Sequence, residues 1–185
     1  MRPQKVNDES MMSGLLEVLR HKGYEGASLQ ELSMATGLKK ASLYHRFPGG
    51  KREMVETVMK EIQIWLKKEV QAVLRNKKIN PQDRLSIVLA KIEEFYSWGE
   101  KPCILRSLSI GSGMDQVGHL IQASMENWQK GFVKLGRDLG MSKKKSEKKA
   151  LESLILIQGG LVVAQGSQSP EAFKYAIERI RAIYS

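Results

Sequence analysis

Lys39, Lys40, Ser42, Tyr44 and His45 fall close together, Arg46, Lys51 and Arg52 follow, and no Asp or Glu occurs from Leu32 through Arg52. Two long cations, a hydroxyl, a phenol and an imidazole at this density are groups that bond phosphate oxygens and base edges. An acid-free stretch can approach a polyanion without cancelling its own charge. Lys39 and Lys40 are long enough to reach guanine acceptors or phosphates, and Ser42 can bond either. A second set is soft and aromatic: Phe95, Trp98, Cys103, Met114, Met125, Trp128 and Phe132. Such side chains suit an apolar or cationic aromatic ligand, with ordinary core packing as the alternative.

Other chemistries are missing as motifs. His21, His45 and His119 stand far apart with no Cys-x-x-Cys or His-x-x-x-His spacing, so no metal site is expected. No Ser-His-Asp arrangement or carboxylate pair is recognisable, Cys103 has no obvious base nearby, and neither an enzyme nor a cofactor is expected. Gly50-Lys51 is not a phosphate-binding loop, because no strand pattern precedes it and Arg52 stands where Ser or Thr is needed. The better reading is a helix start offering free amides and Lys51 to one phosphate.

The elements that position these residues are read as helices throughout. Residues 28–47 form a helix-turn-helix: Leu29, Leu32 and Ala35 keep one face, Ser28 is placed to cap it, and Gly37 permits the left-handed backbone of a tight turn. Leu38 plugs the turn, and a second short helix over about 39–45 has Ala41, Leu43 and Phe47 on its apolar side. The alternative is a plain helical hairpin, against which the basic second helix argues. Before it, Met12, Leu15, Leu16 and Leu19 mark a helix from Asn7 to Lys22 stopped by Gly23. Arg2 and Lys5 precede that helix within reach of phosphates, and Tyr24 is expected to anchor the following loop. Helices are then expected over about 51–76, 80–96 capped by Asn80 with Pro81 at its first position, 103–110, 115–139, 142–166 and 170–184. No alternating Val, Ile and Thr runs indicate strands.

At residues 23–28, Thr36-Gly37-Leu38, residues 43–47 and Gly50-Lys51 the chain resembles the DNA-binding head of the tetracycline-repressor (TetR) family. Residues 101–105 and 150–184 are similar, more weakly, to the effector domain of its multidrug-responsive branch. The resemblance implies an all-α protein with a helix-turn-helix domain over residues 1–50 and a ligand-binding and dimerisation domain over 51–185. Ser28, Lys39, Lys40, Ser42, Tyr44, His45 and Lys51 become the candidate DNA contacts, with Tyr44 and His45 where family members touch the backbone. Lys39 departs from a frequent Ser cap, and Ala41 from a frequent Gly. Function is then expected to be that of a ligand-responsive repressor binding a palindromic operator as a homodimer and released by a small, mostly apolar effector. The alternative is a DNA-binding protein without an effector, controlled by a protein partner.

The last two helices are apolar over broad faces, and Leu154, Ile157, Leu161, Phe173, Ile177 and Ile180 are the candidate dimer interface, completion of a monomeric core being the alternative. The family implies a four-helix bundle there. The chain of 185 residues carries a formal charge of +10. Residues 1–53 hold nine Lys and Arg against six Asp and Glu, so most of the excess lies in the body, partly in the lysine run 143–149. One cysteine, no apolar signal core and an apolar stretch at 154–164 interrupted by Gln158 and two glycines place the chain in the cytoplasm, with no membrane partner expected.

Overall fold

A computed structural model describes residues 7–185, so the phosphate contacts expected of Arg2 and Lys5 lie outside the described residues. The chain is helical, with no strand among those residues, and divides into two compact units.

The first unit runs to Ile62 and regains the chain at Ile104–Ile121. Helix α1, Asp8–Gly26, starts under Asn7, whose side chain accepts from the Glu9 amide at 3.1 Å. Gly23 bends it at φ 67°, where a Cβ would lie 2.7 Å from the Ser107 carbonyl oxygen. Helix α2, Leu29–Thr36, begins with a capping box in which Ser28 and Glu31 satisfy each other's free amides. Hydrogen bonds from Ser28 hold the Glu31 carboxyl below its usual range. Leu32 and Thr36 are its buried positions, while Ala35 is exposed: its carbonyl, not its methyl, faces α1, so close to Gly14 that a Cβ there would clash. Helix α3 is Lys40–Arg46, and α4 is Gly50–Trp65. Leu15, Leu19, Leu32, Leu43, Met54 and Val55 are sealed at the centre.

The expected boundary at residue 50 falls inside this unit, because Met54, Val58 and Ile62 of α4 carry part of its buried surface. Helix α7, Ile104–Leu108, also joins it: Ser107 donates to the Arg20 carbonyl at 2.6 Å, and the Ser112 amide donates to Glu25 at 3.0 Å. Such a return of chain is invisible to local periodicity.

The second unit holds Gln63–Cys103 and Gln122–Ser185. After α4 the helical path widens to a π-helical stretch, Leu66–Gln71, and ends in α5, Ala72–Arg75. Helix α6, Pro81–Phe95, is capped by Asn80 as expected. Helix α8, Gly113–Asp138, contributes its later turns, followed by α9, Lys143–Ser167, capped by Ser142, and α10, Glu171–Ile183. Arg84 is buried and donates to the Leu74 carbonyl at 2.6 Å and to Asp138 at 2.7 Å. Burial would raise the Asp138 carboxyl, but hydrogen bonds from Lys134 and Arg84 outweigh it and hold the group low.

Candidate nucleic-acid interface

The turn between α2 and α3 is built by Gly37 in the left-handed region, φ 68°, with its amide directed to the Met34 carbonyl at 3.3 Å. Thr36 folds its hydroxyl back onto the Leu32 carbonyl at 2.7 Å, and Ser33 donates to the Leu38 carbonyl, so the polar groups of the turn are satisfied internally. Leu43 and Phe47 then bury one side of α3.

Everything else on α3 is exposed: Lys40, Ala41, Ser42, Tyr44, His45 and Arg46, with Lys39 at its N-cap. At 100° per residue, Ala41 and His45 lie farthest from Leu43, flanked by Ser42 and Tyr44. The expected apolar role of Ala41 is therefore corrected. One buried position per turn suffices to seat so short a helix, and its methyl belongs to the presented face, where it suits a thymine methyl. Lys39, Lys40 and His45 have no side-chain partner among the described residues, leaving their polar groups available to a ligand. Arg46 instead meets Asp8 at 2.6 Å and anchors the end of α3 to the start of α1.

Ser28 is exposed, but its hydroxyl is engaged with Glu31, donating to the carboxylate at 2.9 Å and accepting from the amide at 3.2 Å. Lys51 is also engaged: its ammonium donates to the Ala27 carbonyl at 3.3 Å and sits 4.8 Å from the Tyr24 ring centroid. The phosphate role expected for Lys51 is thus modified. It clamps the loop after α1, and Tyr24 is an anchor as expected. The amides at the start of α4 are partly taken as well, since Gly49 N–H donates to Glu53 at 2.8 Å. Tyr44 leans over Gly50, where glycine is required by φ 67°.

The soft and aromatic set is divided between the two units. Met114 belongs to the first unit and is 46% exposed; the other six belong to the second. Phe95 stacks on Trp65 at 4.1 Å between centroids. Cys103 is buried and accepts from the Tyr96 hydroxyl at 3.4 Å. Met125 is half-buried, while Trp128 and Phe132 stack at 6.5 Å and continue to Tyr184 at 5.9 Å, as packed core. Trp98 is 64% exposed, and its placement in a pocket lining is corrected: α6 ends in two left-handed residues, Ser97 and Trp98, that turn the indole outward. Side-chain type could not foresee that turn.

A second correction concerns the candidate dimer residues. Leu154, Ile157, Leu161, Phe173, Ile177 and Ile180 are all buried within the single chain. They seal α9 against α10 so tightly that a Cβ on Gly160 would lie 2.8 Å from that of Ala176. The free apolar stripe of α9 is Leu151, Ile155, Gly159 and Val162, with nothing within 4 Å of a Cβ built on Gly159. Because α9 is apolar on both faces, its sequence carries no periodicity to say which face turns inward. That same character makes α9 long and apolar enough to cross a membrane by length and composition alone, beyond what the interrupted run at 154–164 suggested.

Residues 12–58 match the family model described as bacterial regulatory proteins, tetR family. The chain is 19% identical over 160 residues to the HTH-type transcriptional regulator LmrA of Bacillus subtilis (strain 168), covering 84% of this chain and 85% of that protein. Among solved structures, a TetR transcriptional regulator from Legionella pneumophila matches with a TM-score of 0.80 at 16% identity over 97% of each chain. A cysteine mutant of the TetR family transcriptional regulator CifR, complexed with 26 bp double-strand operator DNA, matches with a TM-score of 0.78 at 20% identity over 98% of each chain.

Proposed function

We propose that this chain, a DNA-binding transcriptional regulator of the tetR family by its head at residues 12–58, acts as a homodimeric, ligand-responsive repressor on a palindromic operator. The observation that carries the DNA reading is α3, on which Lys40, Ala41, Ser42, Tyr44 and His45 stand exposed beside Lys39 with no acid among them. A helix so presented fits the major groove, Lys39 and Lys40 supplying long donors, Ser42 a short one, and Ala41 a methyl. Tyr44 of α3, leaning over the start of α4, meets the DNA backbone. Ser28 and Lys51 hold the loop and caps in register and reach phosphate only through their remaining donor capacity.

The dimer reading rests on the free stripe of α9, Leu151, Ile155, Gly159 and Val162, together with Val163 and, on α10, Tyr175. Gly159 permits close helix approach, and an exposed apolar row of this length is more readily covered by its symmetry mate than left in water. The related CifR mutant is complexed with operator DNA, which supports the same partner here. A mostly apolar effector bound in the second unit is the ligand reading, supported by its aromatic content; the cytoplasm is its compartment.

Selection of bound sequences from random duplexes tests specificity and symmetry together. The expected outcome is two inverted half-sites whose centres lie one helical turn apart, about 34 to 36 Å, or a multiple of it. Recovery of a single half-site, or of no preferred sequence, removes the reading.

A further inference from the structure

Within the second unit a cleft of about 730 Å³ opens among α5, the later turns of α8 and the first turns of α9. Its walls carry the cations Arg75, Lys130, Lys134 and Arg137 with Glu126 and Gln129 among them, Val133 forms an apolar patch, and Glu147 borders it from α9. None of these residues belongs to either candidate set read from sequence.

The charges there do not balance. Lys130 is matched by Glu126 at 3.2 Å, and Glu147 by Lys143 of its own helix at 3.9 Å. Lys134 must share Asp138 with the buried Arg84, so one carboxylate serves two cations. Among the described residues Arg137 donates only to a neutral acceptor, the Met141 carbonyl at 2.7 Å. Arg75 has no side-chain partner among the described residues. Arg75 and Arg137 are thus left in one concave site without an opposite charge among the described residues, and both are guanidinium groups, whose planar forks match carboxylate or sulfonate oxygens. The aliphatic stems of the lysines and arginines extend the apolar patch of Val133, giving room for a hydrocarbon body beside the charged end.

We infer that this cleft binds an amphipathic organic anion, an aromatic or alkyl carboxylate being the simplest class, with its charged end between Arg75 and Arg137 and its apolar body against Val133. The inference differs from the apolar-effector expectation in both place and charge. Binding itself does not depend on the regulatory reading; only its consequence for DNA does.

Calorimetric titration of the full chain with 2-naphthoate, neutral 2-naphthamide and cationic 2-naphthylmethylammonium tests it. Naphthoate is expected to bind at least about tenfold more tightly than either analogue, and to lose about tenfold or more in the variant R75Q/R137Q, whose exposed positions leave helix content unchanged. Arg75→Glu, a reversal of one charge, is expected to weaken it more than Arg75→Gln alone. Three equal affinities, or undiminished naphthoate binding in R75Q/R137Q at wild-type helicity, overturn the inference. So does displacement of naphthoate by unrelated duplex DNA, which would assign the cleft to nucleic acid. Duplex selection involves no naphthoate, so its failure removes the regulator reading and leaves this one standing.

Discussion

At the residue scale, the contrast between Lys39 or Lys40 and Lys51 is the sharpest consequence of the geometry. The first two extend into solvent from the start of α3, whereas Lys51 is held between the Ala27 carbonyl and the Tyr24 ring. Lys39→Ala and Lys40→Ala are expected to weaken specific binding by about 1 to 3 kcal/mol where the lysine reads a base, relaxing preference at one position. Lys51→Ala is expected to weaken all duplexes alike and to lower thermal stability as well, because the loop loses its clamp. Fluorescence anisotropy across a salt series separates them, and unchanged affinity in all three variants would contradict the interface. The exposed basic cluster itself was legible in sequence because acid-free basic clustering is a matter of residue type. Ala41 and Arg46 were not: the first was placed inward by counting apolar positions, and the second is withdrawn by an ion pair to Asp8, 38 residues away. Tyr184 gives a prediction of another kind. Burial pushes its hydroxyl up to about 12, while the Ser153 hydroxyl lies 3.4 Å away. A raised folded value means the stabilising contribution is intact below the unfolded value near pH 10 and disappears as pH rises from there through about 12. Tyr184→Phe should therefore remove part of the alkaline loss of near-ultraviolet dichroism in that window, and identical titration curves for the two proteins would refute the assignment.

At the element scale, α9 decides between core and interface by which side of it is occupied. Leu161 is buried against α10 and Ile155 is 61% exposed on the opposite stripe. Ile155→Glu is expected to yield a folded monomer, since a carboxylate in a desolvated seam between copies is disfavoured by several kcal/mol but is harmless in a free surface. Leu161→Glu buries the same charge inside one chain and is expected to lower the melting temperature severely rather than to split a stable dimer. Analytical ultracentrifugation with thermal melts distinguishes the pair: a dimeric Ile155→Glu protein at micromolar concentration would rule the stripe out. Helix existence here was readable from sequence, with Asn80, Ser142 and Asn7 all capping as their types suggest. The facing was not, for a physical reason. A helix with one apolar stripe announces its inward side, but α9 has two, and only the approach of α10, made close by Gly160, selects between them. The same limit applies to Trp98, whose exposure follows from the left-handed end of α6 and from no pattern of residue types.

At the scale of the whole molecule, the sequence divided the chain at residue 50, and the structure carries the first unit to Ile62 and adds Ile104–Ile121. Pairing Ser107 with Arg20 and Ser112 with Glu25 across 87 residues is a tertiary choice that no local window records. Its functional meaning is that the chain connects the two units more than once: within α4, before α7 and within α8. A change of state in the second unit therefore has several covalent routes to the first unit, and on the proposed function a ligand need distinguish two states only modestly to be felt there. A difference of about 1 to 3 kcal/mol in its affinity for the two states corresponds to roughly 5- to 150-fold in operator affinity. Reciprocity then fixes a second measurement that the first cannot evade, because operator DNA must weaken binding of that ligand by the same factor. For 2-naphthoate in the cleft of Arg75 and Arg137, this predicts that saturating operator duplex raises its dissociation constant by the factor through which saturating naphthoate raises that of the operator. Trp65, Trp98 and Trp128 provide intrinsic fluorescence for the titration. R75Q/R137Q should lose the effect in both directions together while binding operator normally without ligand. A naphthoate affinity indifferent to specific operator would show that the cleft binds its anion without governing the head.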